Sequence, residues 1–197
     1  MNIDEIDLKP SVTYYDPNAV KRTMPAKHLY KSHIVEVNDK VVDVKGKYKA
    51  RVYNLTVEIA QEVAEDVFED KDGKSYKGSS FVGKKIKSKG YFLFLHPQDG
   101  DKFEANPGAN DVYLKFAETI GVECPEKEVE IEGEKHLLRE IPEMTEHDIV
   151  GKPILSYVDY NSFKNREGET IRFLQVKGFE KWTDGKEREL DLEEIPF

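Results

Sequence analysis

The segment FVGKKIKSKGYFLFL, residues 81–95, decides how the chain is expected to fold. Its odd positions carry three lysines and a tyrosine, and successive side chains of a β-strand point to opposite faces, so these four share one face: Lys85, Lys87, Lys89 and Tyr91. Gly90 precedes an uninterrupted apolar run, and a glycine inside a strand indicates a kink or a close backbone approach. The strand is therefore expected to enter the core at Gly90.

The segment before it, residues 34–59, is rich in β-branched residues and predicts strands broken at Asn38-Asp39 and at Gly46. Within residues 48–59 the apolar positions change from even to odd near Tyr53. Such a change requires a bulge or a sharp bend, because side chains alternate with a period of two. One long strand is therefore expected to bend near Tyr53 and to serve both halves of a barrel.

Downstream of the apolar run, a short amphipathic helix is predicted from residues at helical spacing: Val112, Tyr113, Phe116, Ala117 and Ile120. Asn110 is expected to cap its start and Gly121 to end it. Residues 122–144 alternate glutamates with Val129 and Ile131, which indicates an exposed acidic hairpin or strap, and Thr145 with Asp148 is expected to cap a single helical turn.

A second hairpin is predicted near the C-terminus. Residues 154–160 and 171–182 show strand character, and the polar segment 161–169 between them is expected to form the connecting loop. Strands, one helix and a closing hairpin follow in the order of a five-stranded OB-fold barrel. The predicted class is mainly β, an elaborated OB-fold-like barrel over residues 26–183, with an extended N-terminal arm over 1–25 and an acidic tail over 184–197.

Charge is strongly segregated along the 197 residues, whose formal net charge is −9. Residues 74–96 contain six lysines and no acid, whereas residues 122–148 contain ten acids and three bases. A net acidic chain does not by itself indicate nucleic-acid binding, since the usual footprint is basic. The local basic region nevertheless offers a surface of the required sign.

Binding of single-stranded nucleic acid needs cations along the backbone path and aromatic rings that stack on bases. Nine cations are predicted to contact phosphates: Lys49, Arg51, Lys85, Lys87, Lys89, Lys164, Arg166, Arg172 and Lys177. Four aromatic residues are the stacking candidates: Tyr53, Tyr91, Phe163 and Trp182. The alternative for the lysines is a solvated strand face or protection of a sheet edge, and the alternative for the strand aromatics is a place in the core.

The C-terminus ends in Leu192, Glu193, Glu194, Ile195, Pro196 and Phe197. This acidic run closed by Ile-Pro-Phe resembles the tip of bacterial single-stranded DNA-binding proteins, from which Leu192 departs. The short connection before the tip is closer to the compact phage replication version, typified by the T7-type protein. The resemblance implies that Glu193 to Phe197 recruit replication, repair and recombination proteins. A proline followed by a C-terminal aromatic residue is typical of a peptide whose free carboxylate docks in a pocket. The alternative is a frayed acidic tail.

Enzymatic function is not predicted. The five histidines lack the spacing of metal ligands, no nucleophile elbow or phosphate-binding loop is found, and the single Cys124 excludes an intrachain disulfide. We therefore expect no catalytic residue, no metal and no cofactor. The chain lacks a long apolar run or a signal peptide, which predicts a cytoplasmic protein without a membrane partner, in the host cytoplasm if phage-encoded. The rival function is a β-rich protein-interaction or virion structural module, and homo-oligomer formation is left open.

Overall fold

A computed structural model of the chain describes residues 24–46, 48–95 and 108–189. The predicted N-terminal arm, apart from residues 24 and 25, and the C-terminal residues 190–197 lie outside these ranges. The described part is mainly β. Its strands are β1 (His28–Val44), β2 (Tyr48–Ile59), β3 (Val67–Glu69), β4 (Ser75–Lys77), β5 (Lys85–Lys87), β6 (Tyr91–Leu95), β7 (Glu126–Ile131), β8 (Glu134–Arg139), β9 (Pro153–Lys164) and β10 (Thr170–Lys181), and its α-helices are α1 (Asp111–Thr119) and α2 (Glu146–Ile149).

Six of these strands form one sheet in the order β10-β9-β1-β2-β5, with β6 also paired to β2. All of its strand pairs are antiparallel. The described strands do not close into the predicted barrel. A single isolated parallel bridge between Ser88 and Val176 joins the two ends of the order, supported by a hydrogen bond of 3.3 Å from the amide of Lys89 to the carbonyl oxygen of Val176.

The β1–β2 hairpin differs from the sequence prediction in two ways. Strand β1 runs without a break through Asn38-Asp39, and the turn lies at Lys45 and Gly46, both with positive φ. The register irregularity lies on β1 between Ile34 and Glu36, so the bulge predicted on β2 near Tyr53 was wrong. The change of apolar positions near Tyr53 needs no bulge, because β2 is covered on both sides along its middle, with Val52 and Tyr53 both buried.

The core lies between the inner face of the sheet and α1, whose Tyr113, Phe116 and Ala117 are buried. The predicted helix is confirmed, and it ends just before Gly121, which has a φ of +83°. Asn110, however, makes no side-chain cap bond to the helix. Its side-chain oxygen accepts the amide of Phe94 at 2.7 Å, and its nitrogen donates to the carbonyl oxygen of Phe94 at 3.4 Å. Asn110 therefore occupies the edge of β6 as a further strand would.

Two small hairpins lie outside the six-stranded sheet. The β3–β4 hairpin turns at residues 70–74, where the carboxylate of Asp70 accepts the amides of Asp72 and Lys74. The β7–β8 hairpin turns at Glu132 and Gly133 and is largely exposed, as predicted for the acidic segment. The predicted cap of α2 is confirmed, since the carboxylate of Asp148 accepts both the backbone amide and the hydroxyl of Thr145, each at 2.7 Å. The bond from the backbone of Thr145 holds the pKa of Asp148 below its usual value.

Helices long and apolar enough to cross a membrane do not occur in the described ranges.

Gly78 marks a close approach of two backbone segments at the return from the β3–β4 hairpin. A Cβ atom there would lie 1.8 Å from the carbonyl oxygen of Val63. Because backbone atoms cannot move aside without disturbing their neighbours, Gly78→Ala is expected to lower the free energy of unfolding by roughly 1 to 3 kcal/mol. Urea denaturation followed by circular dichroism measures it. The control is Gly178→Ala, because the space around Gly178 is empty; equal losses for both variants would contradict the close approach.

Candidate nucleic-acid interface

The surface of β1, β2, β5 and β6 that faces away from α1 is called here the outer sheet face. The register assigns its members, because directly opposed residues of an antiparallel pair point to the same side. Lys85 opposes Glu58 and Lys87 opposes Thr56 on β2. Further along β2, Phe92 opposes Val52 and Phe94 opposes Ala50. Even-numbered residues of β2 thus align with two lysines and two phenylalanines on one continuous face.

A register slip of one residue separates β5 from β6. Lys87 pairs with Thr56, whereas Tyr91 pairs with Tyr53. Alternation alone places Tyr91 beside the lysines, but the slip turns its side chain into the core. Tyr91 is 5% exposed, and its ring stacks on Phe116 at a centroid distance of 4.5 Å. Burial also raises the pKa of its hydroxyl. Tyr91 therefore has no open ring face for a base, and Phe92 takes the outward position.

Ser88 and Gly90 stabilise the slip. The amide of Leu55 on β2 donates to the hydroxyl of Ser88 at 3.4 Å, and that hydroxyl donates to the carbonyl oxygen of Lys89 at 2.8 Å. Gly90 allows close packing, since a Cβ atom at this position would lie 2.6 Å from a methyl of Val52. The close approach at Gly90 is made by the side chain of Val52 and not by another backbone segment.

The lysines of this region are available to an anion. Lys85, Lys87 and Lys89 are exposed, and none of them makes an ion pair within the part of the chain that the structure describes. Glu58, the acid opposite Lys85, is instead bound by the guanidinium of Arg188 at 2.6 Å. Lys40 of β1 lies opposite Val52 and adds a further cation to the same face.

The aromatic residues of the outer sheet face were missed by sequence reasoning. Phe92 is 40% exposed, and its ring lies 6.1 Å from that of Phe94, at an interplanar angle of 25°. Tyr48 is also exposed and follows the same parity on β2 as Ala50 and Val52. The apolar run after Gly90 has no polar residue among its alternate positions. The sequence therefore does not show which of its side chains face solvent and which face the core.

Lys49, Arg51 and Tyr53 lie on the opposite side of β2 from this face. The guanidinium of Arg51 contacts carboxylate oxygens of Glu143 at 2.7 Å and Asp39 at 3.6 Å. Tyr53 is 1% exposed, its hydroxyl donates to the carbonyl oxygen of Met144 at 3.1 Å, and burial raises its pKa. Lys49 is exposed. The structure therefore does not bring these residues together with Lys85, Lys87 and Lys89.

The predicted residues of the C-terminal hairpin form a second group. Strand β9 extends to Lys164, so Phe163 and Lys164 belong to the strand, and the connecting loop is shorter than predicted. Arg166 is exposed in that loop. The guanidinium of Arg172 lies 4.0 Å from the ring centroid of Tyr160, and Lys177 donates to the side-chain oxygen of Gln175 at 2.9 Å.

This hairpin group is separate from the two phenylalanines of the outer sheet face. His28 pairs with Val158, so the rest of β9 extends past the N-terminal end of β1. Phe92 and Phe94 lie instead beside the part of β2 that approaches the β1–β2 turn. Phe92 and Phe94 therefore lie towards the opposite end of the sheet from this hairpin group. Lys85 and Lys87 pair instead with the end of β2 that lies beside the start of β1, and the amide of Lys89 donates to Val176 of β10.

Trp182 serves packing. Its ring lies 5.5 Å from that of His33, and a Cβ atom on Gly185 would lie 2.6 Å from it. Trp182 is partly buried and belongs to neither group. The predicted partner-binding residues Glu193, Glu194, Ile195, Pro196 and Phe197 lie outside the described residues.

No group of three or more metal-ligating side chains occurs in the described segments. Comparison with known proteins finds no family model, no curated relative and no solved structure that matches the chain.

The register slip predicts unequal effects for two adjacent aromatic residues. Tyr91→Ala is expected to lower the free energy of unfolding by about 3 kcal/mol or more, since it empties a filled core site. Phe92→Ala is expected to cost about 1 kcal/mol, because the ring is partly hydrated already. Parallel denaturant titrations of the two variants measure the difference. A larger loss for Phe92→Ala would contradict the assigned faces.

Proposed function

We propose that the chain binds single-stranded DNA without sequence preference, through the outer sheet face. The observation that carries the proposal is the alignment of exposed Phe92 and its neighbour Phe94 with Lys85 and Lys87 on one face. Cations without ion-pair partners attract the phosphate backbone, and stacked bases on aromatic rings add about 1 to 3 kcal/mol each. Neither interaction reads a base edge, so the binding is tolerant of sequence.

The acidic net charge is compatible with this function because the charges are separated. Glu126, Glu128 and Glu140 of the β7–β8 region form ion pairs with cations of the same hairpin. The outer sheet face keeps its lysines free of such pairs within the described residues. A local positive surface on an acidic protein still binds phosphates at moderate salt, and the repulsion from the rest of the chain discourages non-productive contacts with duplex DNA.

The strand order supports the proposal at the level of fold. The chain begins with three antiparallel segments, which are β1, β2 and the β5–β6 segment. Helix α1 and then the β9–β10 hairpin follow them. An OB-fold is a partly open barrel in this order, and it binds oligonucleotides on the face of its second and third strands. In the present chain those strands are β2 and the β5–β6 segment, which carry the outer sheet face. We include an OB-like ancestry of the domain in the proposal.

Two further surfaces belong to the proposed function. Phe163, Lys164, Arg166 and Arg172 supply exposed cations and a ring beside the connecting loop of the last hairpin, the second place where OB-folds contact oligonucleotides. The tip Glu193 to Phe197 is proposed to recruit replication, repair and recombination proteins, as its resemblance to single-stranded DNA-binding proteins implies.

Fluorescence anisotropy with a labelled oligothymidine of about 30 nucleotides tests DNA binding, because OB-folds cover about 4 to 16 nucleotides each. The wild-type chain is expected to bind this oligonucleotide more tightly than it binds a duplex competitor. Its affinity is expected to fall as the salt concentration rises. Joint replacement of Lys85, Lys87 and Lys89 by alanine is expected to weaken binding and to reduce the salt slope by about 2, roughly 0.7 for each lost phosphate contact.

The control removes the same formal charge elsewhere. Joint replacement of Lys127, Lys135 and Arg139 by alanine takes three cations from the β7–β8 hairpin and is expected to leave the salt slope unchanged. Equal slopes for both triple variants would remove the outer sheet face from the proposal. Absence of binding by the wild-type chain at low salt would overturn the function and favour the protein-interaction module, for which the exposed β7–β8 hairpin with its uncovered Leu137 is the motivating feature.

Deletion of residues 193–197 tests the tail separately. The truncated chain is expected to bind the same oligonucleotide at least as tightly as the intact chain, because the deletion removes acidic residues that repel DNA. Pull-down of host replication proteins by immobilised chain is expected to fall to background. Unchanged capture would show that the tip has no recruiting role. A chain with Phe197→Ala alone separates the contribution of the aromatic side chain from that of the acidic residues.

A further inference from the structure

A row of four residues crosses the sheet through four neighbouring strands. Pro153 of β9 opposes His33 of β1, and His33 opposes Glu58 of β2. Glu58 in turn opposes Lys85 of β5. Directly opposed residues of antiparallel strands point to the same side, so these side chains lie on the side of the sheet that carries the outer sheet face. The row therefore places one acid directly beside Lys85, a proposed phosphate contact.

The chain leaves β10 and follows this row across the strands. Residues 182–188 are called here the crossing segment. At Gly185 the segment passes close to β9, since a Cβ atom at this position would lie 2.5 Å from the Cβ atom of Pro153. Further along, the carbonyl oxygen of Lys186 accepts a hydrogen bond from Nε2 of His33 at 2.9 Å. The crossing segment thus passes from β9 to β1 in the direction of β2.

Arg188 ends the crossing segment and is held by both its backbone and its side chain. Its amide donates to the carbonyl oxygen of Gly151 at 3.0 Å, and the amide of Gly151 donates to the carbonyl oxygen of Ile34 at 2.7 Å. Its guanidinium contacts the carboxylate of Glu58 at 2.6 Å, where the exposed fractions of the two side chains are 45% and 19%. The backbone of Arg188 is therefore fixed where its side chain reaches Glu58.

Glu58 has a second cation within reach. The Cβ atoms of directly opposed residues lie about 4.5 to 5.5 Å apart, so the ammonium group of Lys85 can also approach this carboxylate. In the structure Arg188 binds the carboxylate, and Lys85 makes no ion pair within the described ranges. A guanidinium is the better partner because its planar fork of donors matches the geometry of a carboxylate.

We infer that Arg188 is a positioning residue of the DNA-binding face, because it binds Glu58 and thereby leaves Lys85 free to contact phosphate. This inference rests on the proposed function and adds to it a residue that lies outside the strands. Without Arg188, the carboxylate of Glu58 would repel a nearby phosphate and would pair with Lys85. The outer sheet face would then lose one effective cation without any change to its own lysines.

Fluorescence anisotropy with the labelled oligothymidine tests this role in the full chain. Arg188→Ala is expected to weaken binding about threefold to fivefold at low salt and to lower the salt slope by roughly 0.7, the share of one phosphate contact. Arg188→Lys is expected to retain most of the affinity, since a cation remains beside Glu58. Circular dichroism and urea denaturation of both variants separate a loss of binding from a loss of folding.

Glu58→Gln distinguishes positioning from a direct contact of Arg188 with DNA. Combined with Arg188→Ala, it is expected to restore the affinity and the salt slope of the wild-type chain, because no carboxylate remains to bind Lys85. The matched control is Glu36→Gln combined with Arg188→Ala, which has the same net charge. Glu36 opposes Thr56 on the same face but does not oppose Lys85, so this control is expected to stay weaker than the wild-type chain. Equal affinities of the two double variants would overturn the inference.

A measurement without DNA keeps this inference distinct from the proposed function. Reductive methylation with ¹³C labels the lysine amines for NMR, and Lys85→Arg identifies the signal of Lys85 by its loss. This signal is expected to shift in Arg188→Ala and to return when Glu58→Gln is added. A signal that Arg188→Ala leaves in place would overturn the inference, whatever the chain does with DNA. The expected shifts in a chain that does not bind DNA would support the pairing of Arg188 with Glu58 and refute the proposed function alone.

Discussion

The one-residue slip between β5 and β6 determines which side chains of the central sheet meet water. Without it, the lysines and Tyr91 would share a face, and the core would receive Phe92 in place of Tyr91. The slip depends on two small residues, since the hydroxyl of Ser88 bonds to the backbone of Leu55 on β2 and of the adjacent Lys89, and Gly90 admits the methyl of Val52. The outer sheet face and the packing of α1 on Tyr91 therefore follow from the same local irregularity.

Strand β2 is the element around which the rest is arranged. It pairs with β1 on one side and with β5 and β6 on the other, so its backbone groups are satisfied along its length. Burial of both of its faces explains why a change of hydrophobic parity near Tyr53 does not require a bulge there. Val52 is covered from the outer side by the close approach at Gly90, and Tyr53 from the inner side by α1 and Met144.

Element types and their order could be predicted from the sequence, because they depend on local composition and period. The helix, the acidic hairpin, the capping box of Thr145 and Asp148 and the final hairpin are all present. Side-chain faces could not be predicted where register decides them: Tyr91 turned inward and Phe92 outward. Nor could the role of Asn110 be predicted, since a good N-cap residue also bonds well to a strand edge. The ion pair of Arg51 with Glu143 could not be predicted either, because the two residues are far apart in the sequence.

The β7–β8 hairpin has a consequence for how the chain loses structure. Its two strands pair with each other in a sheet of their own, and the flanking Val122 and Ile141 pack against the core. A lone two-stranded hairpin is only marginally stable in water. It can therefore open and close again while the six-stranded sheet stays intact, so the chain contains two cooperative units of unequal free energy. The unit with the lower opening free energy is also a densely acidic one, with a glutamate at every second position from Glu126 to Glu134.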